Sequence, residues 1–281
     1  MNIYAGKSIA LATLHHKERV IAPLFRRHLG AEIVISAVDT DSLGTFSGEI
    51  ERTGQPKDVA IAKARLGMSA LGSSRGLATE GSFGPNPQIP FLSIHHELLV
   101  FIDLERGIEV VEQQLFPRSI YDSIEVATML EAEEFLIRNR IGRYGMIVQA
   151  LSPLAAIPEK GITTLLELEK AIKKIKQRSG EGRVRILTDM RAHFNPLRMW
   201  RIRTLTRALV NRLKQSCPKC AAPGWGITSY QSGLPCQQCG AATAATRYLV
   251  SSCSACDFKQ QQPRLDGKKT AGAEQCSFCN P

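Results

Sequence analysis

All eight cysteines of this chain fall after residue 216, in four Cys-x-x-Cys pairs: Cys217/Cys220, Cys236/Cys239, Cys253/Cys256 and Cys276/Cys279. Each such knuckle presents two sulfurs on one tight turn. Two knuckles together supply the four thiolates that Zn²⁺ takes in a closed tetrahedral site. A secreted disulfide framework is rarely so regular, and in a reducing compartment thiols at this spacing read as metal ligands. No thioredoxin-like βαβ unit surrounds them, which disfavours redox dithiols. The pattern therefore predicts two structural zinc ions. The spacers between successive pairs are 15, 13 and 19 residues, each long enough for a β-hairpin. Consecutive pairing, first with second and third with fourth, is the first expectation. A crossed pairing, first with third and second with fourth, is the alternative. So small a module buries little apolar area, and metal binding is expected to supply its folding energy. Scaffolding, a homodimer contact and nucleic-acid docking are the roles open to it.

The tail, 215–281, thus separates from an α/β domain expected over 1–214. With 43% hydrophobic residues the chain can bury one large core or two smaller ones. The longest apolar run near the start, Ile9 to Leu14, is far too short to span a bilayer, and nothing before it has the form of a signal peptide. A cytoplasmic protein without a membrane partner is the expectation. Residues 8–14 read as a strand, Lys17 to Leu29 as a helix closed by Gly30, and Ala31 to Val38 as a second strand. That β-α-β opening predicts a mixed sheet flanked by helices. The polar, Gly-rich segment from Asp39 to Thr53 reads as a loop that carries binding groups. A helix is expected over 56–71, a short strand over 76–80, and a hairpin over 98–115. A helix over 119–140, a strand over 145–151 and a helix capped by Thr164 and Glu167 follow.

The stretch from Val184 to Lys214 joins the two parts. A short β-branched strand ends in Thr188-Asp189-Met190-Arg191-Ala192-His193, and a helix restarts at Asn195-Pro196. Asn at the cap and Pro at the first helical position mark a helix start. An acid, an arginine and a histidine at a strand end are where open α/β sheets hold ligands. Of the formal charge of +10, residues 183–214 carry nine Lys/Arg against the single acid Asp189. The arginines at 198, 201, 203, 207 and 212 do not fall on one helical stripe. Many of them are expected in solvent or paired with acids such as Glu131, Glu133 and Glu134, while Met199, Trp200 and Leu205 are expected in the core.

Two sets of residues carry resemblances. Ala12-Thr13-Leu14-His15-His16-Lys17, closing the first strand, resembles the Thr-Asn-x-x-Lys turn of the inosine/xanthosine-triphosphate pyrophosphatase superfamily. Gln55-Pro-Lys-Asp58-Val-Ala60-Ile-Ala-Lys63-Ala64 is similar to that family's Thr-Phe-x-Glu-Asn-Ala-x-x-Lys-Ala helix, and Glu80-Gly81-Ser82 stands where its Asp-Asp-Ser-Gly strand end falls. The likeness implies phosphate contacts from Lys17 and Lys63, and carboxylates for Mg²⁺ from Asp58 and Glu80. His193, in its loop, resembles the Ser-His-Arg that touches the base. Leu14 and Val59 depart from the pattern, each replacing an Asn, and residue 80 is a single acid. The late segment and tail also resemble an uncharacterised bacterial family, a domain of unknown function in which a TDMRAH-like stretch precedes a double zinc ribbon. That second likeness covers more of the chain and brings no activity.

Two functions of different class follow. One is a Mg²⁺-dependent hydrolase of nucleoside triphosphates or related phosphate esters. Its cations would be Lys17, Lys63 and Arg191, its catalytic groups Asp58, Glu80, Asp189 and His193, and its tail structural. The other is a nucleic-acid-binding or scaffold protein using the basic helix 198–214 beside the zinc ribbons. Aromatic content of 6%, with no regular interleaving of aromatics among the basic residues, favours the first. The twin histidines His15-His16 and the segment His95-His96-Glu97 are open to a second metal or to structural roles. Alternation along a strand lets at most one of each adjacent pair face a given site.

Overall fold

The computed structural model describes residues 2–39, 54–85, 89, 93–152 and 156–281. The loop expected to carry binding groups, Asp39 to Thr53, lies almost wholly outside them. In chain order the elements begin β1 (Ser8–Ala12), α1 (Glu18–Leu29), β2 (Glu32–Ser36), α2 (Pro56–Leu71), β3 (Arg75–Pro85), β4 (Ser93–Asp103) and β5 (Ile108–Phe116). They continue with β6 (Ser123–Val126), α3 (Met129–Arg138), β7 (Met146–Gln149), β8 (Glu159–Ile162), α4 (Leu165–Ser179), β9 (Val184–Thr188) and α5 (Pro196–Leu213). The tail adds β10 (Gly226–Ser232), β11 (Thr246–Ser252) and β12 (Lys259–Pro263). The chain divides into two compact units, 1–105 with 111–208, and 106–110 with 209–281.

The first sheet runs β2-β1-β3-β4-β5 and is mixed: β1 is parallel to β2 and β3, and β3 is antiparallel to β4. Period-2 alternation along β3 and β4 builds two different faces. One carries Ala78, Leu98, Val100 and Ile102, which pack with Ala60, Ala64 and Met68 of α2. The other carries Leu77 and Phe101, and there Tyr4 and Phe25 of α1 bring their rings to 5.3 and 6.5 Å from Phe101. Gly67 lets α2 lie close on β1: a Cβ there would sit 3.1 Å from that of Ala12. Alternation also decides where polar residues go. Glu80 falls on the α2 face, whereas Thr79, Gly81, His95 and Glu97 fall on the α1 face.

A second sheet, β6-β9-β7-β8, has its own core with α3 and α4, built from Phe135, Leu136, Met146, Val148, Leu168, Ile172, Ile175 and Ile186. Three sequence expectations are corrected in this region. Residues 119–140 are not one helix: Ser123–Val126 pairs with β9, and the helix starts only after Thr128, whose hydroxyl accepts from the Glu131 amide. The β-branched Ile124 and Val126 bury against the second sheet, and that tertiary pairing overrides the helical spacing. Strand β8 shows no apolar run and was not anticipated; its partner β7 supplies the hydrogen bonds. Trp200, expected in the core, is 56% exposed, while Leu205 is buried.

Local signals fare better. Thr164 and Glu167 form a reciprocal capping box on α4. Asn195 caps α5, its Oδ1 accepting from the Arg198 amide at 2.9 Å. No helix among the described residues is long and apolar enough to cross a membrane.

Candidate functional sites

The second unit is organised by its cysteines. The eight sulfurs form two groups, Cys217/Cys220/Cys253/Cys256 and Cys236/Cys239/Cys276/Cys279, each with its ligand atoms within 4.8 Å of one another. The pairing is crossed, first knuckle with third and second with fourth, which overturns the consecutive expectation. The reason lies in the strands between the knuckles. β10 carries the chain away from the first knuckle for seven residues, roughly 20 Å at strand rise, before the second begins. β11 returns antiparallel, with Ser252 opposite Gly226, and sets the third knuckle beside the first. β12 runs out again, and Ala271 bridges to Cys236, bringing the fourth knuckle to the second. Consecutive knuckles therefore stand at opposite ends of a strand and cannot share an ion.

The dimensions fit zinc. Sulfurs at 2.3 Å from a tetrahedral Zn²⁺ are about 3.8 Å apart, and the contacts Cys217–Cys256, Cys220–Cys253, Cys236–Cys279 and Cys239–Cys276 measure 3.9, 3.6, 3.9 and 3.6 Å. That is far beyond a disulfide bond. Amides of Lys219, Gln238 and Ala255 donate to the first sulfur of their knuckles at 3.3–3.4 Å, orienting the ligands. Burial opposes ionisation of Cys217, but amide donors from Cys220 and Lys219 outweigh it and draw the thiol down to about 7. Cys220 is pushed up to about 12: the Ala222 amide favours its thiolate, but burial and the neighbouring cysteines prevail. Cys276 and Cys279 divide in the same way, at about 7 and about 12. Four thiols this close cannot all ionise without a cation among them, and Zn²⁺ would supply that charge.

In the first unit, charged side chains gather where β1 and β3 end, where α5 begins, and in the loop after β9. Lys17 is buried, and its Nζ donates to Thr79 Oγ1 at 2.6 Å. Glu97, wholly buried, accepts from Arg198 Nε at 2.9 Å and Nη2 at 3.2 Å, and from His95 Nε2 at 2.7 Å. Arg201 Nη1 stands 2.7 Å from His95 Nδ1. Because a guanidinium only donates, Nδ1 must accept, and His95 is the neutral tautomer with its proton on Nε2. Burial, the foremost cause, holds its pKa below the ordinary histidine value. Burial alone would raise Glu97; Arg198 and the bonds from His95 and Arg198 overcome it and hold Glu97 at about 2. Gly81 makes room for this pair, since a Cβ would lie 2.5 Å from Arg198 Nη2 and 2.8 Å from Glu97 Oε2.

The loop after β9 adds a second clamp. Arg191 grips the buried Asp189 through Nε and Nη2, at 3.0 and 2.6 Å, and lies over the Phe194 ring. The Gly161 amide also donates to Asp189. Rings of His15 and His193 stack at 5.1 Å between centroids, with His16 edge-on to His193. Burial lowers His193, and Arg191 lowers it further. Burial, then Lys17, His193, Arg198 and Arg191 in that order, push His15 down to about 2. Lys17 falls to about 8, through burial first and Arg198 second.

Of the residues singled out from sequence, Lys17, Asp189, Arg191 and His193 share this region. Asp189 holds Arg191 and makes no bond to His193. Lys63 and Glu80 pair with each other at 2.7 Å on the α2 face. Asp58 stands exposed in the first turn of α2. The arginines of α5 divide: Arg203 and Arg207 are exposed, whereas Arg198 and Arg201 are buried against Glu97, His95 and the Arg118 carbonyl, and Glu131 pairs with Arg183 instead. His15, His95, Glu97, Arg198 and Arg201 were missed as a set. The available signals were His95-x-Glu97 at strand spacing and Arg198-x-x-Arg201 at helical spacing, each placing two polar groups on one face.

Fold and cysteine geometry together define a mixed α/β protein with a strand-built tail carrying two four-cysteine clusters. Residues 63–281 match the family described as a domain of unknown function, DUF6671, and the chain belongs to that family. Comparison with curated proteins and with solved structures gave no match, to pyrophosphatases or otherwise.

Proposed function

We propose that the first unit binds a phosphate-bearing small molecule, of the nucleotide or phosphate-ester class, and that the tail is a structural module holding two zinc ions. One observation carries the proposal: the buried and part-buried cations gathered here outnumber the carboxylates. Lys17, Arg198 and Arg201 are buried and Lys63 and Arg191 partly buried, against the three carboxylates Glu80, Glu97 and Asp189, and Lys17 donates its hydrogen bond to a hydroxyl, not a carboxylate. A cation surplus drawn largely out of water is costly unless an anion completes it. The N-termini of α1 and α5 add positive dipole ends at the same place.

The Mg²⁺-dependent hydrolase suggested by the sequence would draw on Asp58, Glu80 and Asp189. Glu80 is held by Lys63 and Asp189 by Arg191, so these two carboxylates serve to place cations for phosphate oxygens. A nucleic-acid role for α5 finds less support, since Arg198 and Arg201 are buried within the first unit. A thermal-shift panel tests the proposal: inorganic phosphate, a nucleoside triphosphate and the bare nucleoside, each with and without Mg²⁺. Stabilisation by phosphate and triphosphate but not by nucleoside, lost in Lys17→Met, is expected. Equal response to all three, or to none, refutes it.

A further inference from the structure

Beside the cations stands a pair of histidines that phosphate binding alone does not require. His15 sits in the turn between β1 and α1, two residues before Lys17, and its ring stacks on His193. Its backbone N–H donates a hydrogen bond to Thr13 Oγ1 at 3.2 Å. Among the described residues neither ring nitrogen of His15 has a hydrogen-bond partner, whereas His95 has both of its nitrogens engaged. No carboxylate orients the ring, so it has no structural hydrogen-bonding task. Lys17, Arg191 and Arg198 all bear on it electrostatically. Arg191 lies over the Phe194 ring, which packs at 4.2 Å on the His193 ring that stacks on His15, and Lys17 follows His15 by two residues. An unengaged, neutral imidazole nitrogen in such a cationic neighbourhood has what a nucleophile toward a phosphate needs: a lone pair at neutral pH and groups to hold the phosphoryl oxygens.

We propose that His15 is a phosphoryl acceptor, and that the site cleaves phosphate monoesters through a phosphohistidine. Resting on the phosphate-site reading above, it adds to that reading the reaction and its nucleophile. In the first step an imidazole nitrogen of His15 attacks phosphorus. The P–N bond forms as the P–O bond to the leaving group breaks, and the leaving oxygen takes the bonding pair. Lys17, protonated at pH 7, supplies the proton that makes it an alcohol. In the second step water attacks phosphorus, the P–N bond breaks with its electrons returning to nitrogen, and the water's proton restores Lys17. The sum is monoester plus water giving alcohol plus inorganic phosphate. No oxidant, reductant or further reactant enters. His193, whose ring packs at 5.1 Å and 34° to that of His15, keeps the imidazole plane fixed and is a positioning residue.

The test uses the full zinc-loaded chain with para-nitrophenyl phosphate as the probe. The reaction is quenched in alkali, where phosphohistidine survives, and the protein is mapped by mass spectrometry. The expected result is a burst of para-nitrophenolate equal to the enzyme concentration and one phosphoryl group on His15. His15→Gln should lose both while still being stabilised by inorganic phosphate, which separates loss of the nucleophile from loss of the fold. His193→Gln should keep the adduct on His15 but slow its formation at least tenfold. Phosphate stabilisation of the wild type with no para-nitrophenolate release, or with release but no adduct on His15, overturns the nucleophile and leaves the binding site standing. Failure of the wild type to respond to phosphate overturns both.

Discussion

Replacing Glu97 by Gln should weaken the fold and strengthen anion binding at once. The carboxylate is buried and accepts three hydrogen bonds, two from Arg198 and one from His95. Glutamine keeps the volume, removes the charge, and turns an NH₂ toward donors that expect an acceptor. Two routes give the size of the loss. At the 2.9 Å separation of Arg198 Nε from Glu97 Oε2, an effective dielectric near 20 gives about 6 kcal/mol of attraction before desolvation is subtracted. Depression of the Glu97 pKa from 4.5 to about 2 corresponds to about 3 kcal/mol. Breaking a buried pair on one side costs about 3–5 kcal/mol, and that is the predicted destabilisation at pH 7. The sign of the pH dependence follows from a depressed acid: the contribution is complete above pH 4.5 and is lost as pH falls toward 2. The gap between wild type and variant should therefore close through that window in urea denaturation. Removing one negative charge from among the cations should also tighten phosphate binding, by an amount that shrinks as salt is added. A variant within about 1 kcal/mol of wild type, or one that binds phosphate more weakly while folded, refutes the view of Glu97 as the charge that holds Arg198 in place.

Other outcomes follow from the same geometry. Lys17→Met should stabilise the chain by about 1–3 kcal/mol, since it removes a desolvated ammonium held at about 8, and should abolish the phosphate response. In the wild type, stability should rise as pH climbs from 8 to 10.5, because only the unfolded chain keeps that proton, and phosphate affinity should fall over the same range. Gly81→Ala should cost about 1–3 kcal/mol by driving Arg198 from Glu97, measured by urea denaturation. Zinc analysis of paired variants reads the knuckle pairing directly: Cys217→Ser with Cys253→Ser should lose one zinc, whereas Cys217→Ser with Cys236→Ser should lose both. Ala221 follows its knuckle at φ 60°, where Gly240 in the second knuckle has φ 73°. Ala221→Gly should stabilise the tail and Gly240→Ala destabilise it, each by about 1 kcal/mol or less, read by thermal denaturation.

Features set by neighbours in the chain were legible in the sequence. The capping box at Thr164, the Asn195-Pro196 start of α5 and the four knuckles all depend on residues within three or four positions of one another. What failed was decided across space. Glu97 and Arg198 are 101 residues apart and meet only because β4 and the start of α5 meet. The knuckle pairing depends on strand direction, which spacer length leaves undetermined. Residues 123–126 carry apolar spacing compatible with a helix, and only the presence of β9 makes them a strand. The basic run 183–214 showed its charge but not its division: one face of α5 turns Arg198 and Arg201 inward, and Arg203 and Arg207 stay outside. Asp189 was placed correctly at a strand end, yet its partner, Arg191, could not be told from His193 by spacing alone.

The most direct measurement of the central claim is calorimetric titration of inorganic phosphate into the full zinc-loaded chain at pH 7 and low ionic strength, beside Lys17→Met and Arg198→Met. A single saturable site in the wild type, weakened by added salt and lost in both variants, is what this cation surplus predicts. No heat of binding in the wild type, or binding that both variants retain, would contradict it.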